Sequence, residues 1–97
     1  MDLRAIIAAI RDLEESTSRS PAPTPAELER APVISSWIMT IVPGDDTPSL
    51  FGIVVNHPLI ADGKSAVTSE LVAMNRAGGW ARTRSRYYRL GPAAGEQ

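Results

Sequence analysis

The sequence predicts an α+β domain in which an N-terminal amphipathic helix accompanies a four-stranded antiparallel sheet. Near the N-terminus, apolar side chains recur at three- and four-residue steps, which is the periodicity of a helix. From residue 33 onward, runs rich in β-branched and aromatic residues alternate with Pro, Gly and Asp turns, as in consecutive strands. The apolar face of such a sheet needs a cover, which the helix supplies. As an alternative, the sheet curls into a small SH3-like barrel.

The composition fits one small globular domain. The chain has 97 residues, of which 43% are hydrophobic and 22% charged. The absence of a long apolar run and of a secretory signal predicts a cytoplasmic protein without membrane contact. The absence of cysteine excludes disulfide scaffolds, thiol catalysis and thiolate metal sites. We expect no cofactor.

The formal net charge of -1 conceals a division of sign along the chain. Residues 1–48 contain eight acidic and four basic side chains, a net charge of −4, whereas residues 49–97 contain six basic and three acidic ones, a net charge of +3. Such asymmetry indicates either a partner surface or an internal match of acid to base.

The N-terminal third is predicted as a helix followed by a linker. Residues 1–16 form the amphipathic helix, capped by Asp2, and residues 17–32 form a Pro-rich linker that contains a short capped helix. That short helix begins after Thr24, because proline follows at the first helical position and glutamate at the capping-box position. Pro32 ends it. The apolar stripe of the first helix consists of Leu3, Ile6, Ile7, Ile10 and Leu13.

Residues 33–91 are predicted as the four-stranded β domain, and residues 92–97 as a flexible tail. The segment 66–74 also suits a helix that begins at Thr68 or Ser69, but a strand makes residues 75–79 a hairpin loop. We expect Thr68, Ser69, Thr83 and Ser85 to lie close together, because short polar side chains inside a sheet need hydroxyl partners. The strands are predicted over residues 33–42, 50–55, 66–74 and 80–90.

The last strand is the most informative stretch for function. A continuous strand over 80–90 places alternate arginines on one face, about 6.6–6.8 Å apart, where they form a cationic ridge. This ridge suits an acidic protein surface or a phosphate backbone, and Tyr87 or Tyr88 would then supply a stacking surface for an unpaired base. The alternative is a solvated face whose arginines pair with Glu70 or with acids of the N-terminal half. The expected partner-binding residues are Arg82, Arg84, Arg86, Tyr88 and Arg89.

Other candidate sites have simpler interpretations. His57 lacks neighbours at metal-ligand spacing, and we expect it to cap a loop by hydrogen bonding instead of pairing with Asp62 or Ser69 for catalysis. Asp45-Asp46 suits a turn better than a cation site. Trp37 and Trp80 are expected in the core. The sequence therefore predicts no catalytic, cofactor-binding or metal-binding residue, and no enzyme.

A set of short motifs is spread over the second helix and the predicted strands: Leu28, Ala31-Pro32, Trp37, Gly52, His57-Pro58, Asp62-Gly63, Thr68-Ser69, Arg82-Thr83, and Ser85 to Gly91. Through these residues the chain resembles a family of small, uncharacterised bacterial proteins across about residues 24–91. Tyr87 stands where this family's pattern leads us to expect tryptophan. The resemblance implies a shared fold without an assigned activity, and a place among accessory genes, including those of phages and plasmids.

The function predicted on these grounds is a small non-enzymatic interaction module that binds a macromolecular partner, most simply another protein. The context implied by the resemblance suits a mobile-element inhibitor, anti-CRISPR in style. The alternative is a nucleic-acid-binding accessory or transcriptional regulator that uses the arginine-rich last strand. A homodimer is a further expectation, because small domains bury a lower fraction of their surface alone.

Overall fold

The computed structural model describes residues 3–19, 22–42, 44 and 47–96. Its architecture is α+β, as predicted, but the expected four antiparallel strands are wrong in number and direction, since the described residues form one mixed sheet of six strands. The elements are α1 (Leu3–Arg19), α2 (Pro25–Arg30), β1 (Val33–Val42), β2 (Thr47–Val55), β3 (Ser65–Val67), β4 (Leu71–Asn75), β5 (Trp80–Thr83) and β6 (Tyr87–Leu90).

Helix α1 packs chiefly against β4 and buries Ala9 and Leu13, which lie four residues apart on one face. Leu3, Ile7 and Ile10 of the predicted stripe remain exposed, so the helix covers the core with only part of its apolar surface. Asp2, the expected cap, and the side chain of Ile6 lie outside the described part of the chain.

Helix α1 also continues to Arg19, beyond the predicted end at residue 16. Thr17 explains the extension, because its hydroxyl donates to the carbonyl of Leu13 at 2.6 Å and accepts the backbone N–H of Met74 at 2.9 Å. The last turn is therefore fixed to β4 by tertiary contact.

Helix α2 has the predicted capping box. The Glu27 N–H donates to Thr24 Oγ1 at 3.1 Å, and the Thr24 N–H donates to Glu27 Oε1 at 3.0 Å. The helix ends at Ala31, whose backbone is extended before Pro32, as the restriction on residues that precede proline requires.

The strand order is β3-β2-β1-β6-β5-β4. The two central strands, β1 and β6, pair in parallel through Val33 with Arg89 and Ile34 with Leu90, and every other pair is antiparallel. This central pairing joins segments more than fifty residues apart, and strand periodicity carries no information about such a partner.

The predicted third strand, 66–74, is divided into β3 and β4, and its helical alternative is wrong. These strands lie at opposite edges of the sheet, although only residues 68–70 separate them. That connection spans at most about 14 Å, whereas six strands laid flat would be about 24 Å across. The sheet is therefore strongly curved, yet it is not closed into the SH3-like barrel of the alternative prediction.

The predicted continuous strand over 80–90 is wrong as well, because residues 84–86 turn the chain between β5 and β6. The hydroxyl of Thr83 stabilises the turn: it accepts the N–H groups of Ser85 and Arg86, each at 3.2 Å, and donates to the Arg86 carbonyl at 3.1 Å. The three alternate arginines of the predicted ridge therefore do not share one face of one strand.

The core lies on the inner face of the curved sheet. Ile34, Leu50 and Val54 are fully buried at its centre, and Trp37 and Trp80 are buried as predicted. Gly52 lies opposite an irregularity in β1 between Ser35 and Ile38, where the two strands approach closely. No helix in the described residues has the length and apolar content to cross a membrane.

Residues 92–96, part of the expected tail, are hydrogen-bonded to β1. The Ser36 N–H donates to the Pro92 carbonyl at 2.7 Å, and the Ala94 N–H donates to the Trp37 carbonyl at 3.0 Å. The side chain of Ala93 is buried between these bonds. The segment that follows β6 thus extends the parallel contact with β1.

Candidate functional site

A wide groove of about 550 Å³ lies between α2, the β2–β3 loop and the β5–β6 hairpin. We call it the arginine groove, because three arginines from two separate parts of the chain line it. The ionisable and aromatic side chains of its lining are Glu27, Arg30, His57, Arg82, Arg86 and Tyr87.

Helix α2 contributes one acid and one base to the groove. Glu27 is held in place by the capping box, and Arg30 lies in the last turn, where a cation is favoured by the helix dipole. Hydrogen bonds with Thr24 lower the pKa of Glu27, and the nearby positive charges of Arg30 and Arg82 lower it further. Glu27 therefore remains ionised and oriented, and its charge interacts with two of the three arginines.

The β5–β6 hairpin contributes Arg82 and Tyr87, which are direct cross-strand partners. The guanidinium carbon of Arg82 lies 4.7 Å from the Tyr87 ring centroid, a cation–π contact. Trp80 and Tyr87 form a T-shaped pair, with ring centroids 6.0 Å apart and an interplanar angle of 77°. These contacts position Arg82, and a guanidinium above a ring keeps its in-plane N–H donors available to a ligand.

His57 closes the wall that the β2–β3 loop contributes. Its Nδ1 accepts the backbone N–H of Leu59 at 3.0 Å, so the ring proton belongs on Nε2, which lies 3.2 Å from the Tyr88 hydroxyl. Burial lowers the pKa of His57, and the charge of Arg86 lowers it further. The prediction that His57 caps a loop is confirmed, and the ring adds no positive charge to the groove at neutral pH.

The catalytic pairing considered for His57 is not formed. Among the described residues, Asp62 accepts the backbone N–H of Asn56 at 2.8 Å, which closes the loop, and Ser69 Oγ lies 2.8 Å from Ser85 Oγ. The described residues also contain no group of three or more His, Cys, Asp or Glu able to hold a metal ion. Asp45-Asp46, considered for a cation, lies outside the described residues.

The five predicted partner-binding residues occupy different environments. Arg82 and Arg86 line the arginine groove, whereas Arg84 lies at the hairpin tip and forms an ion pair with Glu70, as the alternative interpretation expected. Tyr88 is buried and contacts His57, and Arg89 is exposed on β6 outside the groove lining.

Tyr87 was expected beside the arginines of the last strand, but no sequence pattern identified Arg30 or His57 as members of one site with Arg82. Arg30 is more than fifty positions from Arg82, and the two meet only because α2 packs against β6. The capping box fixed the position of α2 in the sequence, but no local pattern indicates which strand that helix will contact.

The charge of the groove differs from that of the whole protein. Among the described residues, Arg30, Arg82 and Arg86 have no ion-pair partner within salt-bridge distance, whereas Arg76 and Arg84 each have one. Three arginines and one glutamate give the groove a net charge of +2, against −1 for the chain. The arrangement therefore suits an anionic ligand.

The predicted hydroxyl cluster is confirmed in part. Ser69 contacts Ser85, and Thr83 organises the turn in which Ser85 lies. Thr68 instead accepts the backbone N–H of Leu50 at 3.0 Å, which extends the contact between β2 and the segment after β3.

Comparison with known proteins finds one family model, described as a family of unknown function (DUF6634), that matches residues 3–95. Neither a curated protein nor a solved structure matches the chain.

Proposed function

Because the chain belongs to DUF6634, a family of unknown function, we propose its role from the arginine groove: a non-enzymatic module that binds an anionic segment of a partner protein. The observation that carries this proposal is that Arg30, Arg82 and Arg86 line one open groove without an ion-pair partner among the described residues. Guanidinium groups bind carboxylate and phosphate oxygens in bidentate geometry, and a bound anion offsets the repulsion between neighbouring cations.

The state of His57 supports binding over catalysis. A general base needs a free nitrogen near the groove, but Nδ1 is used by Leu59 and Nε2 by Tyr88. Asp62 and Ser69, the two groups considered as its partners, are each hydrogen-bonded elsewhere. The arginines of the groove therefore offer a ligand positive charge and N–H donors.

A protein partner is favoured over nucleic acid by three features. The chain has a pI of about 5.7, whereas nucleic-acid-binding domains are usually basic. The arginines line a concavity and do not follow a strand as a ridge. Of the two expected stacking surfaces, the ring of Tyr87 is already in contact with Arg82 and Trp80, and Tyr88 is buried. An inhibitor of a host nucleic-acid-handling complex would be one instance of such a module, and a transcriptional accessory factor is the second candidate.

The test is co-purification of a stoichiometric partner from the native host. We expect Arg82→Glu combined with Arg86→Glu to abolish the complex, because two cations of the groove become anions. The matched control is Arg11→Glu combined with Lys64→Glu, which changes the net charge equally at two exposed positions outside the groove lining. Retention of the partner by the groove variant, or equal loss from the control, would refute the proposal.

The nucleic-acid candidate is tested with single- and double-stranded oligonucleotides at several salt concentrations. Phosphate contact by the groove predicts affinity that falls steeply with salt, and Arg82→Ala should reduce the slope by about one unit. An absence of binding at low salt removes this candidate and leaves the protein partner.

A further inference from the structure

We infer that the anionic group held by the arginine groove is a phosphate monoester on a side chain of the partner protein. This inference rests on the proposed function and specifies its ligand. It depends on three properties of the groove: its net charge, the number of donors that line it, and the contact of the Tyr87 ring with the Arg82 guanidinium.

The net charge of the groove matches a doubly charged ligand. Arg30, Arg82 and Arg86 oppose the single carboxylate of Glu27, which leaves two uncompensated positive charges. A phosphorylated side chain carries about −1.5 to −2 charges at pH 7, whereas aspartate or glutamate carries one. A single carboxylate would leave the groove cationic, and a phosphate monoester would neutralise it.

The number of donors points to the same ligand. The three guanidinium groups belong to α2, β5 and the β5–β6 turn, so they approach the groove from different parts of the fold. A carboxylate has two oxygens and is satisfied by one bidentate arginine. A phosphate monoester has three terminal oxygens and can accept from several arginines together, which is how arginine clusters recognise phosphorylated motifs.

The charge of Glu27 gives a specific test of the charge of the ligand. Its carboxylate is fixed by the N–H of Thr24, so it cannot rotate out of the groove without breaking the helix cap. A doubly charged ligand is repelled by it more strongly than a neutral one. Glu27→Gln removes the charge, and glutamine also fits this position of a capping box, so the helix is retained.

A nucleotide is a poorer candidate for the source of the phosphate. A base stacks on a ring face, and the Tyr87 ring already has the Arg82 guanidinium over it and forms a T-shaped pair with Trp80. A side-chain phosphate needs only the donors. The partner is therefore expected to present phosphoserine or phosphothreonine.

The experiment measures binding to the full chain by calorimetry and by NMR shifts. The probes are an acetylated, amidated Gly-phosphoserine-Gly peptide, the same peptide with glutamate at the centre, and adenosine monophosphate. We expect the phosphopeptide to bind at least about tenfold more tightly than the glutamate peptide. The reason is that the carboxylate lacks the third terminal oxygen of the phosphate and the charge-assisted hydrogen bonds which that oxygen accepts.

The variants assign the binding to the groove. Arg82→Ala and Arg30→Ala should each weaken phosphopeptide binding about tenfold or more, and Glu27→Gln should strengthen it. Arg84→Ala, which removes an arginine that is paired with Glu70 at the hairpin tip, should leave binding unchanged. If Arg82→Ala destabilises the hairpin through loss of the Arg82–Tyr87 contact, Arg30→Ala still tests binding by the groove, because Arg30 is exposed on α2.

Each outcome separates this inference from the proposed function. Equal affinity for the glutamate peptide, tighter binding of adenosine monophosphate, or no measurable binding of the phosphopeptide would overturn the phosphate inference. In those cases the proposed function still stands if the partner protein is lost from the Arg82→Glu, Arg86→Glu variant. Phosphopeptide binding that is insensitive to Arg82→Ala and Arg30→Ala would overturn the assignment to the groove.

Discussion

Nε2 of His57 lies 3.2 Å from the hydroxyl of Tyr88, and this contact joins the β2–β3 loop to the central strand β6. The two rings are tilted by 37° with their centroids 6.1 Å apart. Tyr88 is buried, whereas its neighbour Tyr87 lines the arginine groove, so the contact fixes the loop wall of the groove relative to the hairpin wall.

Tyr88→Phe removes this hydrogen bond while the ring remains in the core. We expect the free energy of unfolding to fall by about 1 kcal/mol, the usual net contribution of such a bond. Urea denaturation measures the loss, and the His57→Asn background is the control, because the hydroxyl then has lost its histidine partner. A cost of the same size in both backgrounds would show that the His57–Tyr88 bond does not contribute.

The lowered pKa of His57 predicts a loss of stability in mild acid. Burial is the main cause and the charge of Arg86 adds to it, so the folded state binds the proton less readily than the unfolded chain, whose histidine titrates near pH 6.5. The contribution of His57 to the free energy of unfolding should therefore be constant at and above neutral pH, decrease as the pH falls from about 6.5 towards the lower folded pKa, and level off below it.

Urea denaturation between pH 5 and 8 measures this dependence, with at most one proton taken up on unfolding. His57→Asn is the matched variant, since an amide oxygen can accept the Leu59 N–H but does not titrate. The slope between about pH 5 and 7 should disappear in this variant, while the acid loss at lower pH, where the pKa of Glu27 is also lowered, should persist. An unchanged slope would contradict the assignment.

Thr83→Val tests the turn that separates Arg82 from Arg86. Valine has the same shape and fills the buried site of Thr83, but it leaves the partly buried N–H groups of Ser85 and Arg86 without their acceptor, at a cost of about 1–2 kcal/mol. We also expect weaker binding of anions in the groove. Ser85→Ala, which removes an exposed hydroxyl of the same turn, should change stability by less than about 0.5 kcal/mol. Thermal unfolding compares the two, and equal effects would refute this role for Thr83.

Gly52→Ala tests the close approach of β1 and β2. An added Cβ would lie 2.8 Å from Ile34 Cγ1 and 2.8 Å from the Ser35 carbonyl oxygen, and the latter is backbone that cannot move aside easily. Overpacking of this kind should cost about 1–3 kcal/mol in urea denaturation. Ser65→Ala on the exposed edge strand β3 is the control, and wild-type stability of Gly52→Ala would contradict the packing argument.

Local signals predicted the helices well, and the sheet less well. The capping box of Thr24 and Glu27 lies within one short stretch of sequence, so the start of α2 was predicted correctly. The turn after Thr83 was missed, because the alternation of Arg, Thr and Ser continues through it as though the strand were unbroken. The parallel pairing of β1 with β6 was missed, because both strands show the same pattern whichever neighbour they take.

The candidate site was likewise predicted only in part. Arg82 and Arg86 were identified because arginine is frequent near the end of the sequence. They line a groove, however, and do not form the expected ridge. Arg84 instead forms the ion pair with Glu70 that the alternative interpretation expected, because a residue at the hairpin tip can reach the connection between β3 and β4. Arg30 required knowledge of where α2 packs, which depends on the whole sheet.

The parallel pair at the centre of the sheet has a consequence for synthesis. During translation β1 emerges early and can form its hairpin with β2, but its other edge has no partner until Tyr87 to Leu90 have been made. Ile34 stays partly uncovered until then, because the strand that completes its surroundings arrives last. The nascent chain thus carries an open half-sheet from the completion of β2 until β6 has been made, and assembly of the arginine groove awaits the same late event.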